Sequence, residues 1–167
     1  MKKKLGFAVL GCGSIADIAH FPSINKTEGV ELIACCDINE ETARSAAKKW
    51  EAKYWFTDYK EMFKKSDELD VVIIATPNNV HRNQAVAAAK AGLHVVVEKP
   101  LAVTNVEAWD IVKACRQNKV KLMVGCDRRF WTQNQWAKKL SMRKGVLIYC
   151  MPGTFTTWRR QKNWVMF

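Results

Sequence analysis

The sequence predicts an α/β fold, a doubly wound parallel sheet, on two observations. Apolar runs of strand length alternate with segments whose apolar residues recur at helical spacing, the rhythm of βαβ units around a parallel sheet. The centres of runs such as LDVVIIAT and LHVVVE, VVIIA and VVV, are apolar without alternation, which suits strands covered on both faces. A chain of 167 residues, 49% of them apolar, buries one core and can begin a second.

LGFAVLG reads as a first strand and Ser14 to Lys26 as a helix, ended by Pro22 or by the TEG turn. VELIACCD is a second strand. NEETARSAAKKW is a helix opened at or near Asn39, with acids in its first turn where the helix dipole favours them. KYWF is a short third strand, DYKEMFKKS a short helix and LDVVIIAT the fourth strand. NVHRNQAVAAAKAG is an alanine-rich helix closed by Gly92, and LHVVVE the fifth strand. NVEAWDIVKACRQNK is a helix capped by Thr104 or Asn105, and VKLMVGC the sixth strand. The doubly wound unit is complete by about residue 127. After DRRFW the pattern fades: NQWAKKLSMRK is weakly helical, GVLIYC weakly strand-like, and nothing after Met151 is periodic.

Composition excludes several classes. No run approaches the length needed to span a bilayer, the basic start lacks a cleavage site, and no membrane partner is expected. Six cysteines show neither CxxC pairs nor zinc spacing with histidine, so no metal site is expected. They read as reduced thiols of a cytoplasmic protein. The net charge of +11 is concentrated in the tail: residues 131–167 hold seven of the 27 basic residues and none of the 16 acids. Four of the seven tryptophans lie there, Trp131, Trp136, Trp158 and Trp164. A stacking and phosphate-binding tail is conceivable, but the charge sits on no recognisable recognition element, so no nucleic-acid partner is expected.

The first strand runs into Gly11-Cys12-Gly13-Ser14-Ile15-Ala16, a GxGxxA turn that opens a helix. The first glycine allows the tight turn, and the second lets a diphosphate approach the amides of the helix N-terminus. Ala16 is small enough for close helix–strand packing. Asp37 ends the second strand, where the fingerprint wants an acid for the ribose hydroxyls. A carboxylate there repels a 2′-phosphate, so NAD is the expected cofactor, with NADP possible; Arg44 could meet a phosphate or lie on a solvated helix face. Thr76 and Pro77 leave the fourth strand on the crevice edge, followed by Asn79 and His81, which either cap the next helix or touch cofactor or substrate. Glu98, Lys99 and Pro100 leave the neighbouring fifth strand at that edge. A lysine there can carry the proton of a carbinol, and the glutamate can orient it.

The set GCGSIA, ACCD, ATPNNVH, AGLHVVVEKPLAVT and KLMVGCDRRF, in this order, resembles the glucose-fructose oxidoreductase and inositol dehydrogenase family of NAD(P)-dependent enzymes over roughly residues 4 to 136. The AGxHVxxEKP element is far more specific than the glycine turn. The resemblance implies a Rossmann domain, Lys99 as the catalytic lysine and Glu98 as its cofactor-side neighbour. It also implies a cis Lys99-Pro100 peptide and an arginine near cofactor or substrate at Arg128 or Arg129. The substrate class it implies is a sugar, cyclitol or related polyol.

The expected organisation is a dinucleotide-binding domain over 1–127 and, over 128–167, an exit segment and basic tail as a remnant of a substrate domain. The family's second domain supplies an aspartate and a histidine to the lysine, and residues 131–167 contain neither. With suitable synonymous codons, Ser141 to Phe167 read one nucleotide out of step gives DEEGGLDILHARDLYYMEKAKELGDV, closer to the family's entry into that domain. A frame-shifted end, a natural truncation and a true basic tail are the three readings. Homo-oligomerisation is expected where the second domain is complete, and self-association where its apolar docking face is bare. An oxidoreductase comes first, and a domain that holds NAD(H) without turnover second.

Overall fold

The computed structural model describes residues 4–65, 67–144, 146–151 and 154–159, with side chains described no further than residue 139. It divides into two compact units, Met1–Gly125 and Cys126–Phe167. In the first, β1 (Leu5–Leu10), β2 (Val30–Cys36), β3 (Tyr54–Phe56), β4 (Val71–Ile74), β5 (His94–Glu98) and β6 (Leu122–Gly125) form one sheet of order β3-β2-β1-β4-β5-β6. Every pairing is parallel. This is the doubly wound order of dinucleotide-binding sheets, whose strand order reverses between β1 and β4.

Alternation along the strands sends side chains to two cores. Ala8, Leu10, Val72, Ile74, Val95 and Val97 face one side. There α3 (Tyr59–Phe63), α4 (His81–Lys90) and α5 (Asn105–Gln117) supply Phe63, Ala85, Ala88 and Ile111. Val9, Cys35 and Ile73 face the other side, against Phe21 and Ile24 of α1 (Phe21–Lys26) and Ala46 and Ala47 of α2 (Glu40–Trp50). Alanines dominate the helix faces that touch the sheet, which lets helix backbones approach it closely.

The helix ends follow the sequence chemistry. Asn39 Oδ1 accepts from the Thr42 amide at the start of α2, and Asp58 Oδ1 from the Lys60 amide at the start of α3. Of the two candidates for α5, Thr104 is the cap: its hydroxyl accepts from the Glu107 amide while the Glu107 carboxylate accepts from the Thr104 amide, a complete capping box.

Of the two ends expected for the first helix the structure takes the second, and one strand goes beyond what the sequence pattern predicts. Pro22 does not end the first helix, which runs to Lys26 and stops at the Thr27-Glu28-Gly29 turn. Before the proline, Ala16–His20 forms a π turn in which the Phe21 amide donates to the Ala16 carbonyl five residues back. A widened turn relieves the clash a proline ring makes with the preceding helical turn, so the helix passes through. In the second unit, Asp127–Phe130 forms a 3₁₀ turn and α6 spans Thr132–Lys144. The sequence shows no periodicity after Met151, yet Thr154–Arg159 forms β8, antiparallel to β7 (Val146–Met151), with Met151 opposite Thr154 and Val146 opposite Arg159. TFTTWR is made almost wholly of β-branched and aromatic residues, and ladder pairing rather than periodicity makes it a strand. The side chains of the frame-shift candidate, 141–167, lie outside the described residues.

Candidate functional site

Open α/β sheets bind ligands outside the carboxyl ends of their strands, at the point where strand order reverses. Here that point is the gap between the exits of β1 and β4, and the chemistry-bearing residues of the first unit collect around it.

β1 ends in the glycine turn. Gly11 has φ +93°, and a Cβ on it would lie 2.8 Å from the Ala75 carbonyl carbon and 2.9 Å from the Thr76 amide nitrogen, so only glycine fits where the two strand exits touch. Gly13 differs: nothing lies within 4 Å of the position of an added Cβ. The helical segment begins directly after it, at Ser14, with Ser14 and Ile15 exposed and Ala16 fully buried. Open space before a helix N-terminus is the form that receives a diphosphate. The residues present therefore fit a dinucleotide.

Asp37 follows β2 and holds the loop from the side. Its Oδ2 accepts from the Cys12 amide at 2.9 Å and its Oδ1 from the Asn39 amide at 3.0 Å. Each oxygen keeps a lone pair for a ribose hydroxyl, and the carboxylate is already oriented. Cys12 thus joins the site through its amide, which is directed at Asp37, while its side chain is buried. A hydrogen bond with Cys35, together with burial, holds the Cys12 thiol protonated well above the usual cysteine range. Burial, then the Asp37 and Asp58 carboxylates, push Cys36 up to about 12. The Cys12 and Cys36 thiols therefore stay neutral, whereas the same Cys12 contact lowers the Cys35 thiol.

At the β4 exit the Thr76 hydroxyl donates to Gln84 Oε1 at 2.5 Å. Pro77 and Asn79 are exposed, and Asn78–Val80 forms a 3₁₀ turn with no side-chain cap. Neither Asn79 nor His81 caps the helix. His81 is 1% exposed, with Nδ1 3.0 Å from the Pro100 carbonyl oxygen and Nε2 2.8 Å from that of Thr76. Its ring is engaged by main chain on both sides and presents no free nitrogen to a ligand.

β5 delivers Glu98 and Lys99. Lys99 and Pro100 are exposed and the peptide between them is cis. Glu98 is largely withdrawn from solvent: Oε1 lies 3.1 Å from Nε2 of His20, and Oε2 accepts from the Lys99 amide at 3.1 Å. His20 is the site-adjacent residue that the sequence reading missed, because a regular helix through 14–26 gives no reason to aim it at β5. In the second unit Arg128 lies over the Trp131 ring, 5.6 Å from its centroid, and its carbonyl accepts from the Asn134 amide group. Among the described residues no cluster of acids, cysteines and histidines could hold a metal ion, and no helix is long and apolar enough to cross a membrane.

Comparison with known proteins places this geometry. Residues 5–126 match the model of the oxidoreductase family with an NAD-binding Rossmann fold. The chain is 34% identical over 129 residues to 4-carboxy-2-hydroxymuconate-6-semialdehyde dehydrogenase of a Sphingobium species, covering 77% of this chain and 40% of that protein. It is 36% identical over 125 residues to inositol 2-dehydrogenase of Salmonella typhimurium, covering 73% and 37%. The crystal structure of the WlbA dehydrogenase from Bordetella pertussis, in complex with NADH and UDP-GlcNAcA, superposes with a TM-score of 0.79 at 33% identity, over 86% of this chain and 43% of that one. The chain thus spans about two-fifths of the length of these relatives. With its fold, its glycine turn and its matched span in agreement, the chain belongs to the NAD-binding, Rossmann-fold oxidoreductase family that its motifs resemble.

Proposed function

We propose that this protein serves an NAD(P)-dependent oxidoreductase reaction, moving a hydride between the nicotinamide and a secondary alcohol of a sugar, cyclitol or related polyol, with Lys99 as the group that carries the carbinol proton. The observation that carries this reading is the collection, at one sheet edge, of an open glycine turn, an oriented Asp37 carboxylate and an exposed Lys99. The names of the relatives, an inositol dehydrogenase among them, support the substrate class. When bound, the nicotinamide accepts or supplies the hydride; the protein provides position and the proton.

Gly13, Ser14 and Ile15 would seat the diphosphate, and Asp37 would take the ribose hydroxyls. Thr76, Pro77 and Asn79 would form the opposite wall. Asp37 favours NAD, because a 2′-phosphate would meet a carboxylate held in place by the Cys12 and Asn39 amides. A cytoplasmic setting accords with five free cysteines among the described residues, four of them buried.

The test is NADH titration followed by a polyol panel. Bound NADH should shift its fluorescence, NAD should be reduced in the presence of one of the polyols, and Lys99→Ala should abolish reduction while NADH binding persists. Binding without reduction would leave a nucleotide-holding domain and sink the enzymatic reading for this chain. No binding would sink both.

A further inference from the structure

We infer that His20 is a positioning residue for Lys99, acting through Glu98, while His81 holds the Pro100 carbonyl on the far side of Lys99. The inference rests on the assignment of the proton-carrying role to Lys99 and names what fixes that residue in place.

Lys99 follows the last residue of β5 and is exposed, so strand pairing alone does not set the direction in which its side chain leaves the sheet. Glu98 supplies the missing constraint. Its two oxygens are divided between two partners, the Lys99 amide at 3.1 Å and His20 Nε2 at 3.1 Å. The His20 and Glu98 side chains are 16% and 14% exposed, so water competes weakly for either contact. A carboxylate with one oxygen anchored on His20 cannot swing away from the Lys99 amide.

The sequence is arranged for this contact. The π turn over Ala16–His20 inserts an extra residue into the helical turn and re-aims His20 relative to a regular helix. On the opposite side, Gly125 of β6 is paired with Glu98, and a Cβ there would stand 3.1 Å from Glu98 Oε1. Absence of a side chain at residue 125 leaves the carboxylate its room. Beyond the peptide, Nδ1 of His81 meets the Pro100 carbonyl and Nε2 the Thr76 carbonyl. The segment bearing Lys99 is thereby tied at its amide to the helix that follows the glycine turn, and at its carbonyl to the β4 exit. Those are the two walls of the crevice, so the lysine keeps its place relative to whatever the crevice holds.

The experiment is hydrogen exchange of the Lys99 amide, followed by NMR on the full chain without nucleotide. In His20→Ala the amide should exchange about tenfold faster, the size expected when a hydrogen bond to a charged acceptor is lost. His20→Gln should restore slow exchange, because its side-chain amide can donate to Glu98, and a merely space-filling role would not discriminate between the two variants in this way. Core amides such as that of Val95 should be unchanged. Equal exchange of Lys99 in wild type and His20→Ala overturns the inference. If His20→Ala does not fold, Gly125→Ala replaces it, since the added methyl crowds Glu98 from the other side; unchanged Lys99 exchange there overturns the inference as well. NADH added to the wild type reports separately on the oxidoreductase reading, so failure of one is distinguishable from failure of the other.

Discussion

Two glycines two residues apart should behave as opposites, one holding the fold and the other the ligand. Gly11→Ala places a Cβ within 2.8–2.9 Å of the Ala75 and Thr76 backbone, at φ +93°. A left-handed conformation costs an L-residue about 1–2 kcal/mol, and forcing a methyl into packed backbone about 1–3 more. The sum, about 2–5 kcal/mol, is a large share of the roughly 5–15 kcal/mol that stabilises an ordinary domain. Gly13→Ala meets nothing within 4 Å and has no left-handed φ, so its stability should change by no more than about 0.5 kcal/mol. Its methyl, however, fills the space assigned to the diphosphate. Loss of one charge-assisted contact there should weaken NADH binding about tenfold or more. Urea unfolding followed by circular dichroism measures the first effect and NADH fluorescence titration the second. If Gly13→Ala binds NADH as the wild type does, the open space beside Gly13 is not the diphosphate seat. If Gly11→Ala unfolds at the wild-type midpoint, the close approach of the β1 and β4 exits has been misjudged.

Asp37→Ala should weaken NADH binding about tenfold and narrow the preference for NADH over NADPH, since it removes both the ribose acceptor and the repulsion of a 2′-phosphate; parallel titrations with the two nucleotides read the ratio. Burial and the neighbouring carboxylates hold Cys36 protonated in the folded chain up to about pH 12, against an ordinary thiol value of 9.0. A group whose folded pKa is raised contributes stability that is fully present below pH 9 and is lost as pH rises toward 12. Wild-type stability should therefore fall about 1.4 kcal/mol per pH unit more steeply than that of Cys36→Ala across this window, measured by urea midpoints. Thr104→Ala removes the capping-box acceptor of α5 and should cost about 1 kcal/mol without changing NADH affinity.

The strands and the parallel, doubly wound class of the sheet were legible because each strand announces itself as an apolar run and parallel neighbours require crossover helices, here carrying alanines at helical spacing. The glycine turn and Asp37 were legible because their spacing is fixed by one strand, one turn and the next strand. What sequence could not give is the set of contacts between segments far apart in the chain. His81 was open between capping and ligand contact, and only the proximity of the Thr76 and Pro100 carbonyls, brought together by β4–β5 pairing, decides its orientation. His20 gave no signal, because its direction depends on a π turn that the proline two residues later favours without specifying. Pro22 itself was read as a possible stop, and the widened turn ahead of it is why the helix continues.

The contacts that organise the crevice share one feature: most terminate on main chain. Asp37 meets the amides of Cys12 and Asn39, Glu98 the amide of Lys99, and His81 the carbonyls of Thr76 and Pro100. Each side chain therefore fixes the path of a strand exit rather than the position of another side chain. A polar group buried against backbone leaves that backbone unsatisfied when it is removed, at a cost of about 1–3 kcal/mol. Substitutions at His81 and Glu98 should thus loosen loops, whereas changes at exposed Ser14, Asn79 or Lys99 should leave the loops in place and alter only what they hold. The crevice is a rigid backbone frame carrying a few exposed chemical groups, and this division lets one fold keep its nucleotide seat while the chemistry presented to the substrate changes.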